Sequence, residues 1–339
     1  MKVLVYIDKI PVWGGSNVAR DYIIKALNTV GVETTEDPND TYDIVDINLF
    51  VGKVHKVCRY CNKHNIPVVV HGHWTTADMS AHSFKFWKLL RYTYFKPTMY
   101  SLYKKADLAI PVSKFAYDTL EPDLIYYPTP MKVIPNALDI SEFSENKEAK
   151  KLFEEKFNIK PTDKVVINAA SVFERKGFPD FIEVARRNPD IKFFWFGTKY
   201  NFLYSHKMTK LYKKLPSNMY MPGRLRNEIF FGAFQRADCV FFPSFVETDG
   251  YVLLEAMASK TPALVRDIRA YEWVTDGVHC FKGKNVDEFD KLLHYILEND
   301  TSKVVKAAYE KVHERDLVVI GTKLKETYEK LIEEKKAGK

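Results

Sequence analysis

Over the first 140 positions, short runs of β-branched and aromatic residues alternate with longer stretches whose apolar residues recur every three or four places. KVLVYI (2–7), YDIVDIN (42–48), PVVVHGH (67–73), DLAIPVS (107–113) and KVIPN (132–136) read as strands, with helical spacing over 17–30, 52–64, 83–104 and 114–120. Strands separated by helices line up in parallel, and the crossover helices cover both faces of the sheet. A charged stretch, DISEFSENKEAKKLFEEKFNIKPTDK (139–164), interrupts the alternation. It resumes with VVINAAS (165–171), IKFFWFG (191–197), NMYMPG (218–223), CVFFPS (239–244) and PALVRD (262–267), and from Asp287 onward the chain reads as helical. The pattern predicts two consecutive doubly wound α/β halves. Ligands of such sheets sit outside the carboxyl ends of the strands, so functional residues are expected just after strands, in both halves.

Length agrees with two domains: 339 residues is about twice a common domain. Apolar content of 46% and charged content of 28% are ordinary for a globular chain with a sizeable core. The net charge of +7 suits a phosphate-bearing ligand or an anionic surface and requires neither. No apolar run approaches the roughly 20 residues a membrane-spanning helix needs. Asp8 and Pro11 fall where a signal peptide needs an unbroken apolar stretch, so a cytoplasmic location is expected. Cys58 and Cys61 form a lone C-x-x-C with only His64 nearby. That spacing leaves reduced helix cysteines as the main reading and a metal as the minor one. Asp43 and Asp46, three apart in DIVDIN, are a poor metal pair because both can flank a strand. No metal and no obligatory cofactor are expected.

The richest chemistry comes after CVFFPS. In FVETDGYVLLEAMAS, Glu247 and Glu255 bracket seven residues and Gly250 opens a predicted helix. A strand, a turn and a helix N-terminus present N–H groups and a dipole that favour phosphate. Glycine lets the backbone approach closely. Carboxylates do not grip phosphate and suit hydroxyls, and a nucleotide-sugar offers hydroxyls at both ends of a diphosphate. Taken alone, two such glutamates read more readily as a loop residue and a helix-surface charge than as ligands.

PSFVETDGYVLLEAMAS resembles the signature of retaining glycosyltransferases of the GT-B fold, glycosyltransferase family 4. VIPNALDISEF (133–143), FERKGFPDFIEVA (173–185) and WGGSNVARDYIIKAL (13–27) are similar to further motifs of that family, in its order. VVVHGHWTTADMSAHSF and ALVRDIRAYEWVTDGVHCFKGKNVDEF resemble its bacterial glycolipid synthases, which add a hexose to diacylglycerol or to a glycosyl-diacylglycerol. The shorter chain and the VRDI-x-x-Y run lean toward the enzymes adding the second sugar.

The resemblance implies two Rossmann-like domains with parallel sheets facing a central cleft. The first, residues 1–140, would take the acceptor and be completed by a helix over 317–335; the second, 141–316, would bind the donor. By similarity Glu247 holds donor-sugar hydroxyls and Glu255 those of the ribose. The backbone of Asp249, Gly250 and Tyr251, with Val252 beyond, faces the sugar and diphosphate. Lys176, helped by Arg175, neutralises the departing diphosphate, Gly14 and Gly15 close over the phosphates, and Leu225 or Arg224 lies near the base. His73, with His71 as the alternative, lies near the transferred sugar; Glu247, His73 and Lys176 are the implied catalytic residues. The chain departs from the family where Ala170 or Ser171 stands in place of an arginine, Asp249 in place of an aromatic, and Ala137 in place of a glycine. The implied reaction moves glucose or galactose from a UDP-sugar to a diacylglycerol-based lipid. The alternatives are a polysaccharide or polyprenyl-linked acceptor, or a non-catalytic sugar-nucleotide binder. A dehydrogenase is disfavoured because VWGGSN lacks the G-x-G-x-x-G spacing.

Residues 82–106 hold six Lys or Arg, eight aromatics and no acid. On a helix at about 100° per residue, Phe86, Trp87, Leu90 and Tyr94 share a docking face, while Phe84, Lys85, Lys88, Arg91, Tyr92 and Phe95 point outward. Pro97 is expected to break the helix. Rings beside lysines suit an anionic membrane surface, and snorkelling lysines on a covered core helix are the ordinary alternative. The glycolipid resemblance favours peripheral association with the inner face of the cell membrane. Nucleic acid is not expected, since no binding motif accompanies the basic residues. KYNFLYSHKMTKLYKKL (199–215) is a second basic aromatic patch, placed on the same surface or at a donor-site rim.

Overall fold

The computed structural model describes residues 1–8, 14–49, 51–73, 75, 91–122, 129–198 and 206–338, with 14, 91, 92, 206 and 207 described as backbone only. The chain divides into two compact units, Met1–Asp139 with Glu314–Lys339, and Ile140–His313.

In the first unit, β1 (Lys2–Tyr6), β2 (Glu33–Thr35), β3 (Ile44–Ile47), β4 (Val68–Gly72) and β5 (Leu108–Pro111) form a parallel sheet in the order β2-β1-β3-β4-β5. Strands β1, β3 and β4 are covered on both faces, so their residues run apolar without alternation. β2 has no such run: a three-residue edge strand, ETT, carries no periodic signal. The predicted strand at 132–136 is absent. Lys132 and Ile134 donate backbone bonds to the Ala109 and Pro111 carbonyls (3.0 and 3.2 Å), laying the segment along β5. Pro130 and Pro135 supply no N–H on either side, so no ladder extends.

Helix Val54–Lys63 buries Val54, Val57, Cys58 and Cys61, one stripe at helical spacing. Burial pushes the Cys58 thiol up to about 11; both cysteines are packing groups on this face. Helix Leu317–Lys336 returns to the first unit, burying Ile320, Leu324, Tyr328 and Ile332 beside helix Gly14–Thr29. Its far end is held by Lys335 on Asp107 at 2.5 Å.

The basic aromatic stretch departs from expectation. Phe84, Lys85, Lys88 and the predicted docking residues Phe86, Trp87 and Leu90 lie outside the described residues. Arg91–Phe95 forms a π-helical turn that continues directly into helix Lys96–Tyr103. Phe95 falls on the stripe of Met99 and Leu102, four and seven residues on, and packs with them and Tyr103 on the core, whereas Tyr94 is 51% exposed. Phe95 is thus not an outward membrane contact. Nor does Pro97 end the helix: it falls in the first turn, where its missing N–H is tolerated.

In the second unit, β6 (Lys164–Ala169), β7 (Ile191–Phe196), β8 (Met219–Gly223), β9 (Cys239–Phe242), β10 (Ala263–Arg266) and β11 (Phe281–Gly283) give the parallel order β11-β10-β9-β6-β7-β8. The chain starts at β6, builds outward to β8, then returns to the other side at β9. Strand order reverses between β6 and β9, which is where an open α/β sheet leaves a crevice at its carboxyl edge. Phe178, Phe181, Phe193, Trp195 and Phe241 pack edge-to-face and stacked in the core. Within the second basic patch, Leu211 and Tyr212 turn inward, Tyr212 stacking on Phe178, so those two side chains belong to the core.

Candidate functional site

Lys176 ends the turn Glu174–Lys176 after β6, and Glu247 lies in the segment after β9. Their strands are neighbours at the reversal, so residues 71 positions apart meet: Lys176 Nζ is 2.5 Å from Glu247 Oε1. Glu247 is 7% exposed, and the Lys176 ammonium also lies over the Phe242 ring, 5.6 Å from its centroid. The two loops are also joined by backbone, with Phe245 N–H on the Arg175 carbonyl at 2.8 Å. Gly177 closes the first turn at φ +76°, and a Cβ there would sit 2.2 Å from the Pro243 carbonyl oxygen. Only glycine meets both demands.

A residue not singled out by sequence fixes this junction. Arg266, buried at the end of β10, donates from Nε to the Pro243 carbonyl at 3.0 Å and from Nη1 to that of Lys284. Its Nη2 pairs with Asp180 in the first turn of helix Phe178–Arg187. The guanidinium also stacks on Phe245 at 3.8 Å. One side chain thereby ties the helix after Lys176 to the loop before Glu247. Burial pulls its pKa down and Asp180 opposes that.

Gly250, at φ +84°, precedes helix Tyr251–Ala258 and rests on Tyr271, whose hydroxyl would be 2.6 Å from an added Cβ. The helix is buried from Val252 to Ala258, as one apolar on all sides must be. Asp249 is fully buried. Glu255 is likewise no helix-surface charge, being 3% exposed. Arg226 Nη1 lies 2.9 Å from its Oε1 and Nη2 3.4 Å from Glu142. Leu225 and Arg224 occupy the same loop, half-buried and exposed, but the side chain that reaches Glu255 is Arg226. The periodic signal ends at Gly223, so nothing local separates three adjacent loop residues.

Burial pushes Glu255 above the ordinary carboxylate value, Arg226 pulls it down and Glu142 pushes it up again. A carboxyl whose pKa is raised on folding contributes most to stability while protonated, and that contribution is lost as pH rises through the folded value. Replacing Arg226 by leucine removes the opposing cation. Urea unfolding is expected to show a loss of about 3 kcal/mol at neutral pH, shrinking as pH falls and Glu255 takes up its proton. A deficit independent of pH would mean that Arg226 acts through packing alone.

In the first unit, Gly14 and Gly15 open the helix after β1, and a side chain at 15 would meet nothing within 4 Å. His71 is the penultimate residue of β4 and His73 comes just after the strand; their rings stack at 5.2 Å and 10°, which places both on one side. His71 is buried, with Nδ1 2.6 Å from Oδ1 of Asp46. His73 is half-buried, with Nε2 2.9 Å from Asn48 Oδ1. Asp46, fully buried in β3, also accepts from the Tyr328 hydroxyl at 2.5 Å and from Asn48 Nδ2 at 3.3 Å. Desolvation holds His73 well below its ordinary pKa, with His71 adding to the effect. By sequence, Asn48 and Tyr328 are not singled out, and Asp46 is weighed only as a metal ligand. The available signal was an acid inside IVDIN: a carboxylate in a strand covered on both faces must find donors.

Residues 149–311 match the family model described as glycosyl transferases group 1, and 35–142 that of glycosyltransferase family 4. The chain is 38% identical to a processive diacylglycerol alpha-glucosyltransferase of Acholeplasma laidlawii, across 99% of this chain and 100% of that one. An alpha-galactosylglucosyldiacylglycerol synthase of Streptococcus pneumoniae (strain ATCC BAA-255 / R6) is 31% identical over 136 residues, 39% of this chain and 36% of the relative. Among solved structures, HepE of Anabaena in complex with UDP-glucose superposes with TM-score 0.75 at 18% identity, covering 97% and 100% of the two chains. Sucrose-phosphate synthase of Thermosynechococcus elongatus gives 0.80 at 14%, covering 97% and 98%. At those identities the likeness concerns the fold.

Proposed function

Since the chain belongs to glycosyltransferase family 4, among its glycolipid synthases, we propose that it transfers glucose or galactose from a UDP-sugar to a diacylglycerol-based acceptor with retention. The observation that carries the donor half is Lys176 paired with Glu247 at the β6/β9 reversal, beside the N-terminus of helix Tyr251–Ala258. A diphosphate placed there meets the lysine charge and the helix's N–H groups. Glu247 is released to bind sugar hydroxyls, and Glu255, steadied by Arg226, takes those of the ribose. Asp249, Gly250, Tyr251 and Val252 line the same turn and Arg175 and Leu225 flank it; Gly14 and Gly15, which open the helix after β1, are the first unit's proposed phosphate-binding residues. As the bond to the phosphate breaks, the departing phosphate oxygen takes the acceptor hydroxyl's proton on the same face of the sugar. Lys176 and the helix terminus stabilise the growing charge, so no metal is required. His73 contacts the transferred sugar or acceptor.

The lipid acceptor rests on the full-length similarity to a diacylglycerol glucosyltransferase. No helix among the described residues is long and apolar enough to cross a membrane. A lipid acceptor and the basic, aromatic composition support peripheral association with an anionic leaflet through the segment around Lys85, Lys88, Arg91 and Tyr92. The assay is transfer from UDP-glucose and UDP-galactose to diacylglycerol in vesicles with and without phosphatidylglycerol, read by mass. One or two added hexoses distinguish first-sugar from successive transfer. Activity and sedimentation are expected to need anionic lipid, to fall with salt and to survive chelator. Efficient transfer to a soluble glucan without vesicle binding would refute the lipid reading.

A further inference from the structure

The hydrogen bonds around Asp46 determine where two histidines carry their protons. Carboxylate and carbonyl oxygens only accept. The Asn48 amide sits against two of them, the Asp46 carbonyl (3.2 Å) and Oδ1 (3.3 Å), so its NH2 end must face Asp46. Its oxygen then faces His73, whose Nε2 must bear hydrogen. By the same rule His71 carries hydrogen on Nδ1. Neutral His73 accordingly has its lone pair on Nδ1, and His71 donates to the carboxylate from the nitrogen opposite Nε2. Tyr328 completes the set from 282 positions away, its phenol kept protonated by burial and by Asp46.

We propose that Asp46 is the positioning residue of the first unit's part of the site, fixing the protonated nitrogen of His71 directly and that of His73 through Asn48, with Tyr328 anchoring it from the last helix. This rests on the reading that His73 meets sugar or acceptor, both of which present neutral hydroxyls. A ring held in one tautomer offers such a hydroxyl a defined nitrogen without having to reorganise. An amide in place of Asp46 cannot serve: it has one accepting oxygen for three donors, and its NH2 would confront one of them.

The test uses the full chain labelled with 15N-histidine, read by two-bond proton–nitrogen correlation and assigned with His71→Gln and His73→Gln. The wild type is expected to show Nδ1–H for His71 and Nε2–H for His73. Asp46→Asn should mix the tautomers and lower kcat for transfer at least about tenfold, with donor KM within about twofold. Asn48→Ala leaves Asp46, His71 and Tyr328 in place and should scramble His73 alone; it serves if Asp46→Asn does not fold. Tyr328→Phe should fall between wild type and Asp46→Asn. Opposite tautomers in the wild type, or a variant in which only one of tautomer and kcat moves, overturns the proposal. Release of UDP from UDP-glucose into water gives kcat without an acceptor. Correct tautomers with no transfer to lipid would therefore count against the acceptor assignment and leave the Asp46 hub standing.

Discussion

Replacing Lys176 by methionine is expected to lower kcat/KM for transfer by about 10²–10³-fold, the usual cost of removing one charge-stabilising group from a transition state. Methionine keeps an unbranched side chain of similar length while deleting the charge and its contact over the Phe242 ring. The same change leaves Glu247 buried without its cation, at a cost of about 3–5 kcal/mol when one partner of a buried pair is removed. Stability and catalysis can be separated. The Lys176→Met/Glu247→Gln double variant has no buried charge to strand, so it should regain most of the stability and none of the activity. Double-mutant coupling in urea unfolding measures the first, and UDP release the second. Near-normal turnover in Lys176→Met would remove the lysine from the mechanism.

A second large effect is expected from a single methyl group. Gly177→Ala must place a side chain at φ +76° and drive its Cβ to 2.2 Å from the Pro243 carbonyl oxygen. The carbonyl cannot retreat freely, since Arg266 holds it at 3.0 Å. Left-handed strain alone costs about 1–2 kcal/mol, and displacing the backbone should bring the total to about 3 kcal/mol. The loop that moves leads to Glu247, so the Lys176–Glu247 geometry goes with it. Activity should fall at least about tenfold at temperatures where the variant is still folded by circular dichroism. A variant that loses stability but keeps wild-type kcat would show that the two loops are positioned independently.

Much of the fold can be read locally because its signals are local. Period-two and period-3.6 patterns express the burial of one short element. They located every strand among the described residues except Glu33–Thr35 and Phe281–Gly283, three-residue strands at the sheet edges that are too short to show a period. The basic aromatic stretch shows the limit of that reading. There the inward stripe runs through Phe95, Met99 and Leu102, so Tyr94 and Phe95 exchange the places expected of them.

The site divides in the same way. The Glu247–Gly250–Glu255 stretch and the lysine–glycine turn at 176–177 are contiguous in the chain, and it was their resemblance to family motifs that singled them out. Arg226 on Glu255, Arg266 between Asp180 and Pro243, and Asp46 among His71, Asn48 and Tyr328 depended on strand order and on where the last helix docks. A residue's own neighbours determine whether it lies in a strand or a helix. Its partner when buried is whichever distant segment folding brings alongside, and the cost of an unpaired buried charge keeps that partner in place.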